Sequence, residues 1–399
     1  MRILVAHNRY QQRGGEDAMV AAEVRLLEAH GHQVVRYQRE NDELKSPGPW
    51  GKVSAGIETL WSAKSLRQLR SLIQKEKPHV AHFHNTFPLI SPAGYHACAE
   101  SGVPVIQTLH NYRLLCPAAT FLRDEKICEE CLGRFVAWPG VKYGCYRNCR
   151  PATIAAAAMV ATHRVLGTWR DKVDMYIALS EFARHKFILG GLPADRIFVK
   201  PNFIAIDPGP RKEPGEYALF VGRLSEEKGL RTLLKAWTQL RNSIPLRIAG
   251  DGPLTDEITK SVEAIDPSGR TFMGPLSPKD VIGAMKRARF LVFPSVWFET
   301  FGLSMVEAFA CRLPVITSRL GSMAEIVADG LTGLHFSAGD PVDLAAKMDW
   351  AWTHPQEMET MGLNARIEYE TKYTADRNYE HLECAWARIG VPTRSRCRV

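Results

Sequence analysis

Short apolar segments alternate with helix-length segments along nearly the whole chain. The glycine pair Gly14 and Gly15 precedes a helical pattern over roughly residues 16–30, which Gly31 ends. Because strands that are joined through helices pair in parallel, this alternation predicts a mostly parallel sheet. The apolar runs of the first half are RILVAH at residues 2–7, HQVVRYQ, HVAHFH, VPVIQTLH and MYIALS.

The same alternation restarts after Pro201 and Asn202, in the strands YALFVGR, LRIAG, RTFMG, RFLVFPS, PVITS and GLHF. A chain of 399 residues exceeds the usual size of one hydrophobic core. We therefore expect an α/β protein with two Rossmann-like, doubly wound domains that face each other across a cleft. The expected boundaries are residues 1–203, residues 204–375, and a C-terminal helix and tail at 376–399 that crosses back to the first domain.

Composition excludes an integral membrane protein, since no stretch approaches the ~18 continuous apolar residues of a membrane span. The N-terminal sequence MRILVAHNRY lacks the longer apolar region and the cleavage site of a secretory signal. We therefore expect a cytoplasmic location.

The net charge of +8 comes from the first half of the chain. Residues 1–200 hold 27 Lys and Arg against 18 Asp and Glu, whereas residues 201–399 hold 24 against 25. This excess indicates either a solvated basic face or an anionic partner such as the inner face of a membrane. The helix ATIAAAAMVATHRVLG either packs against its domain or meets lipid through Arg150, Arg164, Arg170 and Lys172. No nucleic-acid-binding motif accompanies the basic residues, so no nucleic-acid partner is expected.

Two cations lie near a predicted strand end in the second half. In FVGRLSEEKGL, Gly222 and Arg223 end a strand, and Lys228 lies near the start of the helix LRTLLKAWTQL. A helix N-terminus carries free N–H groups and partial positive charge, so a diphosphate there would meet donors and two fixed charges. On its own, the pattern also fits two solvent-facing cations.

Two carboxylates frame the segment ETFGLSMVE, directly after the strand RFLVFPS. Glu307 follows Glu299 by eight residues, so a continuous helix would place it about 80° round and two turns deeper. Gly302 permits close backbone approach at the predicted helix start. Because a carboxylate accepts several hydrogen bonds, one of the two can bind a sugar and the other a ribose.

These motifs, in this order, resemble glycosyltransferase family 4, whose members have the GT-B fold. The similar segments are the early glycine pair, FHNT, TLHNYRLLCP, SEFARHKF, PNFI, GRLSEEKG, AGDGP, FPSVWFETFGLSMVEAFACRLPVI and EIVADGLTGLHF. The resemblance implies a retaining transferase of the bacterial glycan-biosynthesis type. Such an enzyme moves a hexosyl or related sugar from a UDP- or GDP-sugar to a glycan or lipid-linked acceptor without a catalytic metal.

The resemblance also implies roles for individual residues. Arg223 and Lys228 would bind the donor diphosphate and stabilise its departure, Glu307 would bind the ribose, and Glu299 would hold hydroxyls of the donor sugar. His110 matches the family histidine that contacts the transferring sugar, although it also fits a buried, hydrogen-bonded strand end. The other implied donor contacts are Gly15, Gly222 and the backbone of Thr300, Phe301, Gly302 and Leu303.

Five of the nine cysteines lie in a Cys-rich insertion at about residues 116–150. Cys128 and Cys131 form a C-x-x-C pair, and Cys145 and Cys149 form a C-x-x-x-C pair. Two such pairs fit a structural zinc site, with Cys116 as an additional candidate ligand. Disulfides, free thiols and an iron–sulfur cluster are the alternatives.

Two other functions fit parts of the sequence. A sugar-nucleotide epimerase has the same fold, but we identify no acid and base for it. A non-catalytic binding or scaffold protein would leave the filled donor positions unexplained. The motifs do not determine the donor base and sugar, the acceptor, the linkage or the oligomeric state.

Overall fold

The computed structural model describes residues 1–11, 14–44 and 49–393, without the side chains of residue 44 and residues 49–54. By internal contacts, the chain divides into two compact units. The first unit comprises Met1–Phe121, Cys128–Ala205 and Ala375–Val399, and the second comprises Leu122–Ile127 and Ile206–Thr374.

The elements of the first half alternate between strand and helix, as predicted. In chain order they are β1 (Arg2–Arg9), α1 (Gly15–Ala29), β2 (Gln33–Glu40), α2 (Pro49–Leu60), α3 (Ala63–Glu76), β3 (Val80–Asn85), α4 (Ala93–Glu100), β4 (Val105–Thr108), β5 (Leu122–Arg123), β6 (Lys126–Ile127), α5 (Trp138–Tyr143), α6 (Arg150–Val165), α7 (Thr168–Asp171), β7 (Met175–Ala178), α8 (Glu181–Leu189) and β8 (Ile197–Val199).

A parallel six-stranded sheet with the order β2-β1-β3-β4-β7-β8 forms the core of the first unit. Its strands are apolar because helices cover both faces of such a sheet, and all six residues of β3 are buried. The three-residue strand β8 was not predicted from the sequence. The short antiparallel hairpin β5–β6 belongs by its contacts to the second unit.

The second half repeats the alternation. Its elements are β9 (Tyr217–Val221), α9 (Leu230–Trp237), β10 (Leu246–Ala249), α10 (Thr255–Ile265), β11 (Phe272–Gly274), α11 (Pro278–Arg287), β12 (Ala288–Phe293), α12 (Leu303–Ala310), β13 (Val315–Ser318), α13 (Gly321–Ile326), β14 (Gly333–Phe336), α14 (Pro341–Thr353), α15 (Pro355–Lys372) and finally α16 (Ala375–Arg388).

The second sheet is also parallel, with the order β11-β10-β9-β12-β13-β14. Counted within the unit, this is the Rossmann order 3-2-1-4-5-6. The chain reverses its direction of travel across the sheet between the adjacent strands β9 and β12. Ligands of open α/β sheets bind at such a switch point, beyond the carboxyl ends of the strands. The two parallel sheets confirm the expected α/β class.

Side-chain caps fix where several helices begin. Ser180 Oγ accepts from the Ala183 amide at the start of α8, and Ser277 Oγ accepts from the Asp280 amide at the start of α11. Each cap satisfies one of the amides that the first helical turn leaves without a partner. None of the helices in the described part of the chain combines the length and the apolar character that a membrane span requires.

The last helix, α16, packs within the first unit. The Tyr379 ring stacks on His30 at 3.6 Å, and its hydroxyl lies 2.7 Å from Nε2 of His32. Asn378 accepts from Lys200 Nζ at 3.1 Å and donates to the carbonyl of Pro201 at 2.8 Å. The end of the chain therefore completes the domain with which the chain begins.

Candidate functional site

The carboxyl ends of β9 and β12 carry four of the predicted donor residues. Gly222 and Arg223 follow β9 directly, and the Arg223 side chain is exposed. Lys228 ends a 3-10 turn at Glu226–Lys228, two residues before α9, and Glu299 lies in the loop after β12. Since β9 and β12 are adjacent, the loops that carry these residues meet at the switch point.

Lys228 and Glu299 form an ion pair at this point. Nζ of Lys228 lies 2.6 Å from Oε1 of Glu299, and Ser295 Oγ donates to the same oxygen at 2.9 Å. The rings of Phe293 and Trp297 lie 5.6 and 5.4 Å from the ammonium. Because Glu299 is only 5% exposed, loss of Lys228 would leave a buried carboxylate without its counter-ion.

Gly229 holds the two loops together and was not recognised from the sequence. Its φ is +70°, and a Cβ there would lie 1.9 Å from the carbonyl oxygen of Pro294. The amide of Val296 also donates to the carbonyl of Glu227 at 2.9 Å. The position of Lys228 relative to Glu299 is therefore fixed by backbone contacts as well as by charge.

The predicted helix start at Gly302 is confirmed, but the separation of about 80° between Glu299 and Glu307 is wrong, because it requires a helix that already includes Glu299. Helix α12 begins only at Leu303, so Glu299 lies in the preceding loop and Glu307 in the second turn of the helix. Gly302 precedes the helix with a φ of +88°, and a residue with a side chain adopts this φ only with strain. Gly302 thus marks the boundary between the loop that carries Glu299 and the helix that carries Glu307.

The residues between the two glutamates lead into the helix. Phe301 is buried, whereas Thr300, Gly302 and Leu303 are partly exposed. The Met305 amide in the first turn of α12 donates to the Gly302 carbonyl at 3.1 Å, and a helix N-terminus generally favours an anion through its partial positive charge. Glu307 is partly exposed, and burial raises its pKa to about 7. This carboxyl group can therefore donate as well as accept a hydrogen bond near neutral pH.

In the first unit, His110 follows β4 and contacts a second histidine. Its Nε2 lies 3.0 Å from Nδ1 of His84, at the end of β3. Burial lowers the pKa of His110 well below its usual value, and it lowers the pKa of His84 to about 3. Both rings are therefore neutral at physiological pH, so one nitrogen of the contacting pair donates and the other accepts.

A buried carboxylate, Glu23, lies behind this pair. Its Oε1 is 2.9 Å from Nδ1 of His82 and 3.4 Å from Nε2 of His84, off the line of a well-formed hydrogen bond. Its Oε2 accepts from Lys200 Nζ at 2.9 Å. Burial by itself would raise the pKa of Glu23, but Lys200 and the two histidines outweigh it and hold that pKa well below its usual value.

Glu23, His82 and His84 are the one group of three potential metal ligands within 4.8 Å of one another among the described residues. Lys200 already supplies a positive charge to the carboxylate, so a divalent cation would add like charge to a buried site. A buried Lys–Glu ion pair packed against two histidines fits these residues better. Alternation in HFHN places His82 and His84 on one strand face, which is the signal that sequence reasoning missed.

Gly15 is the first residue of α1, and Gly14 caps that helix. A Cβ on Gly15 would meet no atom within 4 Å, so there is space beside the backbone at this position. Asp17 accepts from the Gly14 amide at 3.1 Å and lies 2.8 Å from Nε2 of His7. The role of Gly15 beside a phosphate stays a prediction.

None of the five cysteines of residues 116–149 forms a disulfide bond. The Gly140 amide donates to Cys131 Sγ at 3.3 Å, and the Gly140 carbonyl accepts from the Cys145 amide at 3.0 Å. Burial, followed by the effect of neighbouring Cys116, Cys145 and Cys128, raises the pKa of Cys131 to about 11. Cys149 instead precedes α6 as its N-cap residue. No three of these sulfurs lie within 4.8 Å of one another in the described chain, so the zinc site stays a prediction.

Comparison with known proteins identifies both halves of the chain. Residues 13–207 match the family model "Glycosyltransferase Family 4", and residues 204–368 match "Glycosyl transferases group 1". The D-rhamnosyltransferase WbpZ of Pseudomonas aeruginosa is 33% identical over 192 residues, which is 48% of this chain and 50% of WbpZ. The matched segment thus spans about half the length of that relative.

Two solved structures share the fold over nearly the whole chain. HepE from Anabaena, solved in complex with UDP, has a TM-score of 0.67 at 16% identity and covers 97% of this chain and 100% of its own. Sucrose-phosphate synthase from Thermosynechococcus elongatus has a TM-score of 0.70 at 17% identity, with 98% and 99% covered. The chain therefore has the GT-B fold, and its first half is similar to glycosyltransferase family 4 and its second half to glycosyl transferases group 1.

Proposed function

We propose that this protein is a retaining glycosyltransferase that moves a hexosyl or related sugar from a nucleotide-diphosphate sugar to a glycan or lipid-linked acceptor. The observation that carries the proposal is the group of Arg223, Lys228 and Glu299 at the switch point of the second sheet. Ligands of such sheets bind at this point, and two cations there suit a diphosphate. The similarity to the D-rhamnosyltransferase WbpZ supports a sugar substrate.

In the proposed mechanism, the bond between the anomeric carbon and the diphosphate lengthens as positive charge develops on the sugar ring. The leaving diphosphate gains negative charge at the same time. Arg223 and Lys228 stabilise that charge electrostatically, as does the positive end of α12. These groups perform the role of a divalent ion, so we expect sugar transfer to continue in the presence of EDTA.

The carboxylates bind the neutral parts of the donor. Glu299, held in place by Lys228 and Ser295, accepts from hydroxyls of the transferring sugar. Glu307 bonds to the ribose hydroxyls from the second turn of α12. In the first unit, we assign His110 to a contact with the transferring sugar. Uridine nucleotides are the first candidates, since HepE was solved with UDP and with UDP-glucose.

The experiment is a calorimetric titration of the full chain with UDP, GDP, ADP and their sugars. Arg223→Ala and Lys228→Met should each weaken binding of the preferred nucleotide roughly 10- to 100-fold, because each removes a charge-assisted hydrogen bond. Lys235→Met is the matched control, since Lys235 is exposed on α9, and it should bind as the wild type does.

Product analysis tests the chemistry. Release of nucleotide from the preferred donor, with an α-linked donor giving an α-linked product by NMR, is the expected result. Binding that is absent for every nucleotide, or unchanged in Arg223→Ala and Lys228→Met, would contradict the donor site. Conversion of the donor to its epimer without an acceptor would support an epimerase instead.

A further inference from the structure

A stretch of the first unit combines exposed aromatic side chains with an absence of acidic ones. Residues 131–170 contain six Lys and Arg and no Asp or Glu. Within this stretch, Phe135 is 59% exposed, Trp138 is 66% exposed, and Val136 and Tyr143 are also exposed. A folded protein seldom leaves large neighbouring apolar side chains in water without a partner.

These side chains lie on one part of the molecule. Phe135 and Val136 lead directly into α5, which begins at Trp138 and ends at Tyr143. Arg164 at the end of α6 donates to the carbonyl of Phe135 at 3.0 Å. Val165, the next residue along the chain, is 74% exposed and so extends the apolar surface.

Cations surround the exposed aromatics. Lys142 Nζ lies 5.2 Å from the centre of the Tyr143 ring. The side chain of Arg150 lies against Gly144, the residue that ends α5. Arg134, Lys142, Arg147 and Arg150 are all exposed. We call Arg134, Phe135, Val136, Trp138, Lys142, Tyr143, Arg147 and Arg150 the aromatic–basic surface.

Several of the cations that the sequence indicated for a lipid contact have other partners. Arg164 binds backbone carbonyls, including those of Phe135 and Gly190. Arg170 forms an ion pair with Asp171 at 2.8 Å. The middle of α6 is buried against its own unit through residues such as Ala156 and Met159. The helix α6 itself therefore packs within the domain, and the exposed surface lies at α5 instead.

We infer that the aromatic–basic surface docks on an anionic phospholipid bilayer. Trp and Tyr side chains favour the interface between lipid headgroups and acyl chains, while Lys and Arg bind anionic headgroups. A bilayer requires only apolar side chains beside cations, without a matching pattern of hydrogen bonds, and this surface presents that combination. The inference goes beyond the donor chemistry and does not depend on it.

The test is sedimentation of the full chain with vesicles of phosphatidylglycerol and phosphatidylcholine in equal parts, compared with pure phosphatidylcholine. We expect binding to the anionic vesicles only, and weaker binding at high salt. Lys142→Ala should lower the partition coefficient about fivefold, and the double variant Phe135→Ser, Trp138→Ser should lower it at least about tenfold.

Control variants separate docking from general adhesion. Leu331→Ser and Lys235→Ala remove an exposed apolar side chain and an exposed cation from the second unit, and should bind vesicles as the wild type does. Quenching of Trp fluorescence by brominated lipid should occur in the wild type and diminish in Trp138→Phe, which retains an apolar ring.

Far-UV circular dichroism and the melting temperature verify that each variant folds. The inference is overturned if the wild type does not sediment with anionic vesicles, if it binds phosphatidylcholine equally well, or if the folded double variant binds like the wild type. In those cases the exposed apolar side chains belong to a protein interface.

Discussion

At the scale of single residues, the first unit contains a buried ion pair between Lys200 and Glu23. Lys200 is 2% exposed and Glu23 is 5% exposed, and their charged atoms are 2.9 Å apart. Burying either charge alone is costly, whereas the pair is tolerated. His84 and His110, near this pair, remain neutral because burial lowers the pKa of each ring.

We therefore expect Lys200→Met to destabilise the first unit by about 3–5 kcal/mol, because it leaves the Glu23 carboxylate buried without a counter-ion. Hydrogen exchange, measured as a function of urea concentration, gives this loss of unfolding free energy for the first unit. The double variant with Glu23→Gln should recover part of it. Arg70→Met is the control: it breaks the exposed pair with Glu100 and should cost less than about 1 kcal/mol. If Lys200→Met and Arg70→Met lowered the free energy of unfolding equally, this account would be contradicted.

A second residue, Glu307, makes stability depend on pH. Burial raises the pKa of Glu307 in the folded protein to about 7, from 4.5 for a solvent-exposed glutamate. Between these two values the folded protein holds a proton that the unfolded chain has lost. The free energy of unfolding should therefore fall as pH rises through this window.

Glu307→Gln should flatten that part of the profile of unfolding free energy against pH. The exposed Glu263→Gln should keep the wild-type slope. Glu16 contributes a similar slope, since burial raises its pKa to about 8, so the informative quantity is the difference between wild type and Glu307→Gln. An unchanged profile would mean that Glu307 is ionised throughout the range.

At the scale of elements, the loop between β9 and α9 depends on a glycine. Gly229→Ala should destabilise the second unit by at least about 2 kcal/mol. The alanine would have to adopt a left-handed backbone conformation, and its Cβ would force Pro294 to move. Gly283→Ala in α11 is the matched control, since a Cβ there meets no atom within 4 Å and its φ is ordinary. It should stabilise the helix by about 0.5–1 kcal/mol. Denaturant midpoints of the two variants should therefore shift in opposite directions.

The sequence predicted the parallel sheets well because buried strands such as β7 and β9 are continuous apolar runs between turn signals. It also predicted that α12 begins at Gly302, because glycine permits the positive φ found there. The three residues of β8 are too few to show a pattern.

The candidate site was predicted in part for the same reason. Strand ends can be predicted from the sequence, because an apolar run stops there at turn residues. Three candidate residues lie in the loops that follow such strand ends: Arg223, Lys228 and Glu299. The contact of Glu23 with His84 joins residues 61 positions apart and depends on the packing of α1 on the sheet. Lys200 is farther still, so only the structure brings these residues together.

At the scale of the whole molecule, the two units should respond separately to perturbation. Trp386 on α16 is fully buried in the first unit. Trp386→Ala should therefore cost about 3–5 kcal/mol in that unit. Exchange of the α1 and β2 amides should accelerate, while a nucleotide that binds the second unit should still protect β9 and β12.

Ile367→Ala on the exposed face of α15 is the control for that experiment, and it should leave both exchange patterns unchanged. Equal acceleration in the amides of both units after Trp386→Ala would show that they unfold as one cooperative body.

The return of α16 to the first unit has a consequence for synthesis of the protein. A ribosome makes a chain from its N-terminal end, so the surfaces of His30, His32 and Lys200 that α16 covers stay uncovered until α16 has been made. The second unit, Leu122–Ile127 and Ile206–Thr374, is translated in full before α16. The domain that is translated first is thus the one finished last, and a chain released early from the ribosome carries an incomplete first domain.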